Sequence, residues 1–244
     1  MRLVIVLLCL FCLPVQATES LRIAVAANLL PVMERMADRY QRETGITLQL
    51  AGGSTGAFYE QIRRGAPFDL FYAADAERPA LLTDAGIGQP ARPYACGRLA
   101  LWTPGHAPDL HQLPPGRIAI AQPDTAPYGR AAQQALQHAG RWAVERADVV
   151  YGQDIGQAFQ FVASGNAVAG LVALSQLRAA GIDAGQFQVI PVNHHAPLIQ
   201  ARLVLAEGER GAAATAFAEW FDRQHDILDD FGYARPGENG CARR

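Results

Sequence analysis

From residue 20 onward the apolar positions switch repeatedly between two periods. A short apolar run over residues 21–26 is followed by Leu29, Val32, Met33, Met36, Ala37 and Tyr40, which recur at steps of three and four. That is the spacing of one buried helical face, and Gly45 supplies its stop. Ile46, Leu48 and Leu50 then alternate as a half-buried strand does. A loop over residues 52–56, a helix through Ala57, Phe58 and Ile62 to Gly65, and a strand over 69–73 complete the first stretch. Strand and helix alternating in this way predict a mainly parallel sheet with helices on both faces.

The alternation resumes after Gly97, with strands near 99–102, 118–121, 149–151, 168–173 and 187–192 and helices around 131–138, 155–163 and 175–180. Two α/β lobes joined by a hinge accommodate this better than one large sheet, which is the rival arrangement. A strand over 201–205 and a single helical run over 213–229, carrying Phe217, Trp220, Phe221 and Ile227, are expected to return to the first lobe. The expected division is residues 18–92 and 200–244 in lobe I and residues 93–199 in lobe II. Proline-rich stretches at 90–93 and 104–115 read as loops.

The first 17 residues carry a different pattern: Arg2, an apolar run over 3–13, then Val15 and Ala17 as small residues at cleavage positions. This is the pattern of a cleavable secretory signal, and the run is shorter than the roughly 20 residues that span a bilayer. An exported, periplasmic mature chain from Thr18 follows. Removal of the signal takes Cys9 and Cys12 with it and leaves Cys96 and Cys241 in an oxidising compartment. Either the two form one bridge, or one is a buried thiol and the other an exposed thiol near the tail. Cys96 stands where the chain should leave the first lobe, and Cys241 follows a helix expected to return to it.

Composition removes several functions. The 21 basic and 23 acidic residues leave a net charge of -2, with no run of five like charges, so neither a nucleic-acid surface nor a polybasic membrane surface is present. The chain contains no lysine, which excludes a lysine Schiff base, a P-loop lysine and a Ser-Lys dyad. Its serines are Ser20, Ser54, Ser164 and Ser175, none in a nucleophile elbow. His194 and His195 are adjacent and read as a solvated loop pair, with an exported metal-dependent hydrolase using them as the competing enzyme class. Asp69, Asp75 and Asp84 are spaced as structural carboxylates.

The remaining chemistry lies where strands hand over to helices. In the loop Ala51-Gly52-Gly53-Ser54-Thr55-Gly56 the first glycine of a dinucleotide fingerprint is missing. Its glycines would still let backbone approach a ligand, and Ser54, Thr55 and the next helix's first N–H groups can donate to an anion. Asn28, Tyr128 and Ile155 occupy equivalent strand-to-helix positions. Two lobes presenting these ends to each other would form a cleft of neutral donors and helix dipoles, an environment suited to an oxyanion.

These residues also resemble a family. Val25-Ala26-Ala27-Asn28, Gly53-Ser54-Thr55-Gly56 with Tyr59, Gln61 and Ile62, and Gly65-Ala66-Pro67 with Phe71, Ala74 and Asp75 are similar in order and spacing to periplasmic molybdate-binding proteins of ABC transporters. Ala126-Pro127-Tyr128-Gly129, Gly156-Gln157-Ala158 with Ala163-Ser164-Gly165, Val172-Ala173-Leu174-Ser175 and Phe231-Gly232-Tyr233 continue the likeness through the second lobe and the tail. The resemblance implies the two-lobed periplasmic-binding-protein fold and oxyanion contacts from Asn28, Ser54, Thr55, Tyr128 and the backbone N–H of Ile155. It further implies no enzymatic activity and no cofactor, molybdate and tungstate as ligands, and delivery by a monomer to an inner-membrane permease. Ala173 stands where other members place a ligating tyrosine. A sulfate- or phosphate-type binder is the alternative within the same class.

Overall fold

The computed structural model describes residues 20–145, 148–238 and 241, so the expected signal at residues 1–17 lies outside the described residues. The apolar run at the start forms β1 (Ser20–Ala26), whose last four residues are all buried. Buried on both sides, β1 pairs in parallel with β2 (Thr47–Gly53) and β3 (Leu70–Tyr72). The i, i+3, i+4 stripe becomes α1 (Leu30–Thr44), which buries Val32, Met33, Met36 and Tyr40. Gly45 ends it at φ 79°, a left-handed conformation suited to glycine, with its N–H on Gln41 O. Strand β2 runs on through Gly52 and Gly53, which the sequence placed in a loop, because Val25 and Ala26 extend the ladder opposite them. A Cβ at Gly52 would lie 2.5 Å from Leu30 Cδ2, so the close packing of α1 on this strand requires glycine there.

After α2 (Thr55–Arg63), α3 (Glu77–Asp84) and β4 (Arg92–Cys96) the chain passes into a second sheet. That sheet is built from β5 (Leu99–Trp102), β6 (Ile118–Ala121), β7 (Val149–Gly152), β8 (Ala169–Ala173) and β9 (Phe187–Val189). It is covered by α4 (Pro127–His138), α5 (Trp142–Glu145), α6 (Ile155–Ala163) and α7 (Leu174–Ala179). The chain then returns through β10 (Ile199–Val204), α8 (Gly208–Asp222) and α9 (His225–Asp230). Strand orders are β2-β1-β3-β10-β4 and β7-β6-β8-β5-β9. The architecture is the two-lobed α/β one. Each sheet is mixed: β10 runs antiparallel to β3 and β4, and β5 antiparallel to β8 and β9. Residues 92–96, Pro93 among them, form an edge strand of the first sheet, where the sequence reading had a loop and a crossing at residue 93.

The helical run expected over 213–229 is two helices. The Gln224 N–H bonds Phe221 O, three residues back, and its Nε2 takes Trp220 O, the carbonyl a continuing α-helix would have offered to that N–H. The break lets α9 turn Ile227 and Leu228 into the first lobe's core. There Tyr40, Tyr72, Tyr94, Phe217, Trp220 and Phe221 form an aromatic cluster of mostly edge-to-face pairs. Asp69 is structural, as its position suggested: buried, it accepts the Arg22 N–H at 2.7 Å and pairs with Arg210.

Cys96 and Cys241 are joined, with Cα atoms 6.2 Å apart, and Cys96 also exchanges backbone hydrogen bonds with Ala234. The sequence separation is 145 residues, for which the chain-entropy relation gives about 5 kcal/mol as an upper figure. Urea unfolding of the oxidised protein against the Cys96→Ser/Cys241→Ser variant should therefore show stability lower by part of that amount and a steeper slope, because the uncrosslinked unfolded chain exposes more surface. At Asp69, burial raises the carboxyl pKa, but the Arg210 hydrogen bond, the Arg22 N–H and their charges outweigh it and leave the group below its ordinary value. A depressed folded pKa contributes stability that is complete above the unfolded value and is lost as pH falls through the folded one. Asp69→Asn should accordingly be less stable than wild type at neutral pH and show a shallower stability loss on acidification, measured by thermal unfolding across pH.

Candidate functional site

Four strand-to-helix handovers meet between the lobes. Ala26 ends β1 and Ala27 and Asn28 follow it, and Gly53, Ser54 and Thr55 join β2 to α2. Ala126, Pro127 and Tyr128 open α4, and Asp154 and Ile155 open α6; with Ala74 these residues line one narrow cavity. All five residues expected to contact an oxyanion, Asn28, Ser54, Thr55, Tyr128 and Ile155, stand in this wall, and all are buried. An α-helix has no preceding-turn carbonyl for its first-turn N–H groups. Here the Gln157, Gly56 and Gly129 N–H groups are taken by Asp154 Oδ1, Thr125 O and Ala126 O, and α4 opens on Pro127. The helix starts therefore bring to this space the N–H groups at Thr55, Tyr128 and Ile155 and the positive end of each dipole. No arginine or histidine stands among the lining residues. The one carboxylate, Asp154, is committed to its own helix, where Oδ1 caps the Gln157 N–H at 2.9 Å.

The individual side chains are placed in ways spacing did not reveal. Ser54 occupies the N-cap of α2 but does not cap it; its hydroxyl crosses to the other lobe and donates to Thr125 O at 2.7 Å. The Gly56 N–H donates to the same carbonyl at 2.9 Å, and a Cβ at Gly56 would lie 2.7 Å from it, so glycine permits this approach of the lobes. Thr55 Oγ1 accepts the Ala74 N–H at 2.9 Å and keeps its own proton for a further acceptor. The Tyr128 hydroxyl points away from the helix start, accepting from Gln200 Nε2 at 3.3 Å. That leaves the backbone at Tyr128 as its contribution nearest the other donors. Ala173 is buried at the N-cap of α7.

Behind the cavity runs a seam of neutral polar groups. Asn28 Nδ2 donates to Gln200 Oε1 at 3.0 Å and to Tyr233 Oη at 2.9 Å, while Tyr94 Oη donates to Gln200 Oε1 at 2.7 Å. Asn28 O accepts from Ser175 Oγ at 2.8 Å and Tyr233 Oη at 2.9 Å. Burial pushes the Tyr94, Tyr128 and Tyr233 hydroxyls well above their ordinary pKa, so all are un-ionised at any physiological pH. Sequence reasoning missed Gln200 and Tyr94. The available signal was an amide at 200 between apolar residues Leu198, Ile199 and Ala201, since such a group, once buried in a strand, must find partners.

His194 and His195 do not approach this site. His194 stacks on His138 with ring centroids 3.9 Å apart, and its pKa is lowered by desolvation and by the neighbouring His138 and His111. Among the described residues no three His, Cys, Asp or Glu side chains are grouped to hold a metal ion.

The family model described as bacterial extracellular solute-binding protein matches residues 21–234. The molybdate-binding protein ModA of Azotobacter vinelandii is 36% identical over 229 residues, covering 89% of this chain and 90% of that protein. Its namesake from Rhodobacter capsulatus is 35% identical over 230 residues, covering 91% and 90%. The solved structure of the Azotobacter vinelandii periplasmic molybdate-binding protein superimposes with a TM-score of 0.83 at 32% identity, covering 88% of this chain and 99% of that one.

The crossing from β4 to β5 bears directly on the seam. A Cβ at Gly97 would collide with Tyr128 Oη and sit 2.5 Å from Gln200 Nε2. Gly97→Ala should destabilise the protein by about 1–3 kcal/mol. Adding Tyr128→Phe, which removes the struck oxygen, should recover part of that loss, so denaturant unfolding of the double-mutant cycle is expected to be clearly non-additive. An additive cycle would place the hydroxyl elsewhere.

Proposed function

The chain belongs to the bacterial extracellular solute-binding proteins, and from that membership we propose that it captures molybdate, and tungstate as an anion of similar size, in the periplasm for delivery to an ABC permease of the inner membrane. It is a binding protein, not an enzyme. The observation that carries the ligand class is the convergence of helix N-termini and neutral hydroxyl and amide donors from both lobes on one cavity without a basic side chain. Relatives named for molybdate binding, at 35–36% identity over about nine-tenths of the chain, support the specific anion.

The physical logic of such a site is solvation by substitution. An oxyanion entering the cleft loses its water shell, and donors fixed around it replace those hydrogen bonds at about 1.5–3 kcal/mol each. Because the donors are neutral, no full ion pair in low dielectric opposes release when the lobes separate. Charge cannot distinguish molybdate from sulfate or phosphate, so discrimination rests on the size of the donor ring, smaller anions leaving some donors out of reach. In this reading Thr55 donates from lobe I with the proton it keeps, Ser54 donates once its hydroxyl leaves Thr125 O and Asn28 once its amide leaves its present acceptors, and the N–H groups at Tyr128 and Ile155 donate from lobe II. The protein works as a monomer whose lobes close by hinge motion at the two crossings.

Thermal unfolding against a panel of molybdate, tungstate, sulfate, phosphate and zinc tests this directly. Molybdate and tungstate at 100 times their dissociation constant should add about 2.7 kcal/mol of stability. Sulfate and phosphate should add far less. A response to zinc with none to any oxyanion would overturn the reading. Ser54→Ala and Thr55→Ala should each weaken molybdate binding by about 1–3 kcal/mol in titration calorimetry while the unliganded fold is kept.

A further inference from the structure

The amide of Asn28 is used unequally at its two ends. Nδ2 spends both hydrogens on Gln200 Oε1 and Tyr233 Oη, whereas Oδ1 is buried without a partner. Asn28 lines the cavity; Gln200 and Tyr233 do not. The edge of the amide left for the cavity is therefore the one carrying oxygen, an acceptor where an oxyanion needs a donor. Burying that acceptor unpaired is itself unfavourable.

Turning the Asn28 amide by half a turn corrects this only if Gln200 turns with it. Otherwise Asn28 Oδ1 would face Gln200 Oε1, acceptor against acceptor. With both amides turned, Gln200 Nε2 donates to Asn28 Oδ1 and to Tyr94 Oη. The Tyr94 hydroxyl, no longer able to donate to Gln200, turns its proton to Ala73 O, 3.1 Å away. Gln200 Oε1 then accepts from the Tyr128 hydroxyl, which now receives from Gln200 Nε2 at 3.3 Å. Tyr233 Oη turns its proton from Asn28 O to Asn28 Oδ1, and Asn28 O keeps the Ser175 hydroxyl. Each group in the seam finds a complementary partner, and the Asn28 NH2 is left for the cavity.

We propose that Gln200 is a positioning residue for anion capture, its amide coupled to that of Asn28 so that the two turn together and present the Asn28 NH2 to a bound oxyanion. The proposal rests on the oxyanion reading above. It also gives the binding event a mechanical consequence. Gln200 lies on β10 of lobe I and bonds Tyr128 on α4 of lobe II, beside the crossing where the Gly97 N–H meets Leu198 O at 3.0 Å. An anion that turns Asn28 thus reverses a hydrogen bond between the lobes next to the hinge. Merely structural roles for Gln200 predict no such reversal.

Side-chain amide NMR of the isotope-labelled exported protein, with and without sodium molybdate, decides it. Without ligand, the Gln200 amide protons should show contacts to the Tyr128 ring and the Asn28 amide protons contacts to the Tyr233 ring. With molybdate the Gln200 contacts should move to the Tyr94 ring and those of Asn28 to Tyr233 should be lost. Gln200→Met, similar in shape but unable to donate or accept strongly, should weaken molybdate binding by roughly tenfold or more. Amide contacts that stay unchanged while molybdate binds would overturn the proposal and leave the oxyanion reading standing. Binding by Gln200→Met within about twofold of wild type would do the same. If that variant does not fold, the wild-type amide contacts decide alone. Failure of the wild type to bind any oxyanion removes the oxyanion reading first, and the proposal with it.

Discussion

Helix starts, where the chain offers no preceding-turn carbonyl to the first N–H groups, set the terms for this molecule. Three helices, α2, α4 and α6, begin just beyond the carboxyl ends of β2, β6 and β7, and the turn after β1 brings Asn28 to the same place. Because β1, β2 and β3 run parallel to one another, as do β6, β7 and β8, the carboxyl ends of each trio share one edge, and that edge gathers the donors. The two edges face one another across the cleft. Everything else that matters to the site follows from keeping them there: β5 and β10 run antiparallel to these strands as the chain crosses between lobes, and the disulfide holds the tail against the first crossing.

The seam behind the cavity shows how the protein tolerates polar groups in a dry place. Tyr94, Tyr128 and Tyr233 are held neutral by burial, and Asn28 and Gln200 are neutral by chemistry. A formal charge here would act on a bound dianion through a low dielectric, either trapping it or expelling it. Charged pairs are placed away from the cavity wall. Arg78 pairs with Asp75 and reaches Asp124 O across the lobes at 3.1 Å, and Arg130 meets Glu77 at 3.3 Å with both side chains largely in solvent. Exposed pairs of the second kind contribute little to stability. Their position across the cleft suits contacts that form and break as the lobes move.

Glycine has a specific place in this scheme. At Gly56 the missing side chain lets α2 of one lobe bond the Thr125 carbonyl of the other, and at Gly97 it makes room for the Tyr128 hydroxyl and the Gln200 amide. Both positions sit where backbone from one lobe comes close to the other. Neither glycine has the positive φ found at Gly45, so close approach, not backbone conformation, is what demands them.

The sequence by itself determined the alternation of elements, the division into two lobes and the residues of the cavity wall, because these depend on local periodicity and on strand-to-helix turns readable within a few residues. Asn28, Ser54, Thr55, Tyr128 and Ile155 were legible for that reason. The stripe from Leu29 to Tyr40 and the stop at Gly45 were legible for the same one. Only the tertiary structure decided what each side chain does there. The Ser54 hydroxyl looks like a helix cap and instead bridges lobes, since its partner, Thr125, is 71 residues away. The Tyr128 hydroxyl turns to Gln200, 72 residues on, and Asn28 meets Gln200 across 172. The extension of β2 through two glycines, the edge strand at Pro93 and the break at Gln224 likewise arise from pairing and packing with distant segments. Hydrogen bonds are directional and must be satisfied when buried, but nothing in local spacing says which remote group will satisfy them.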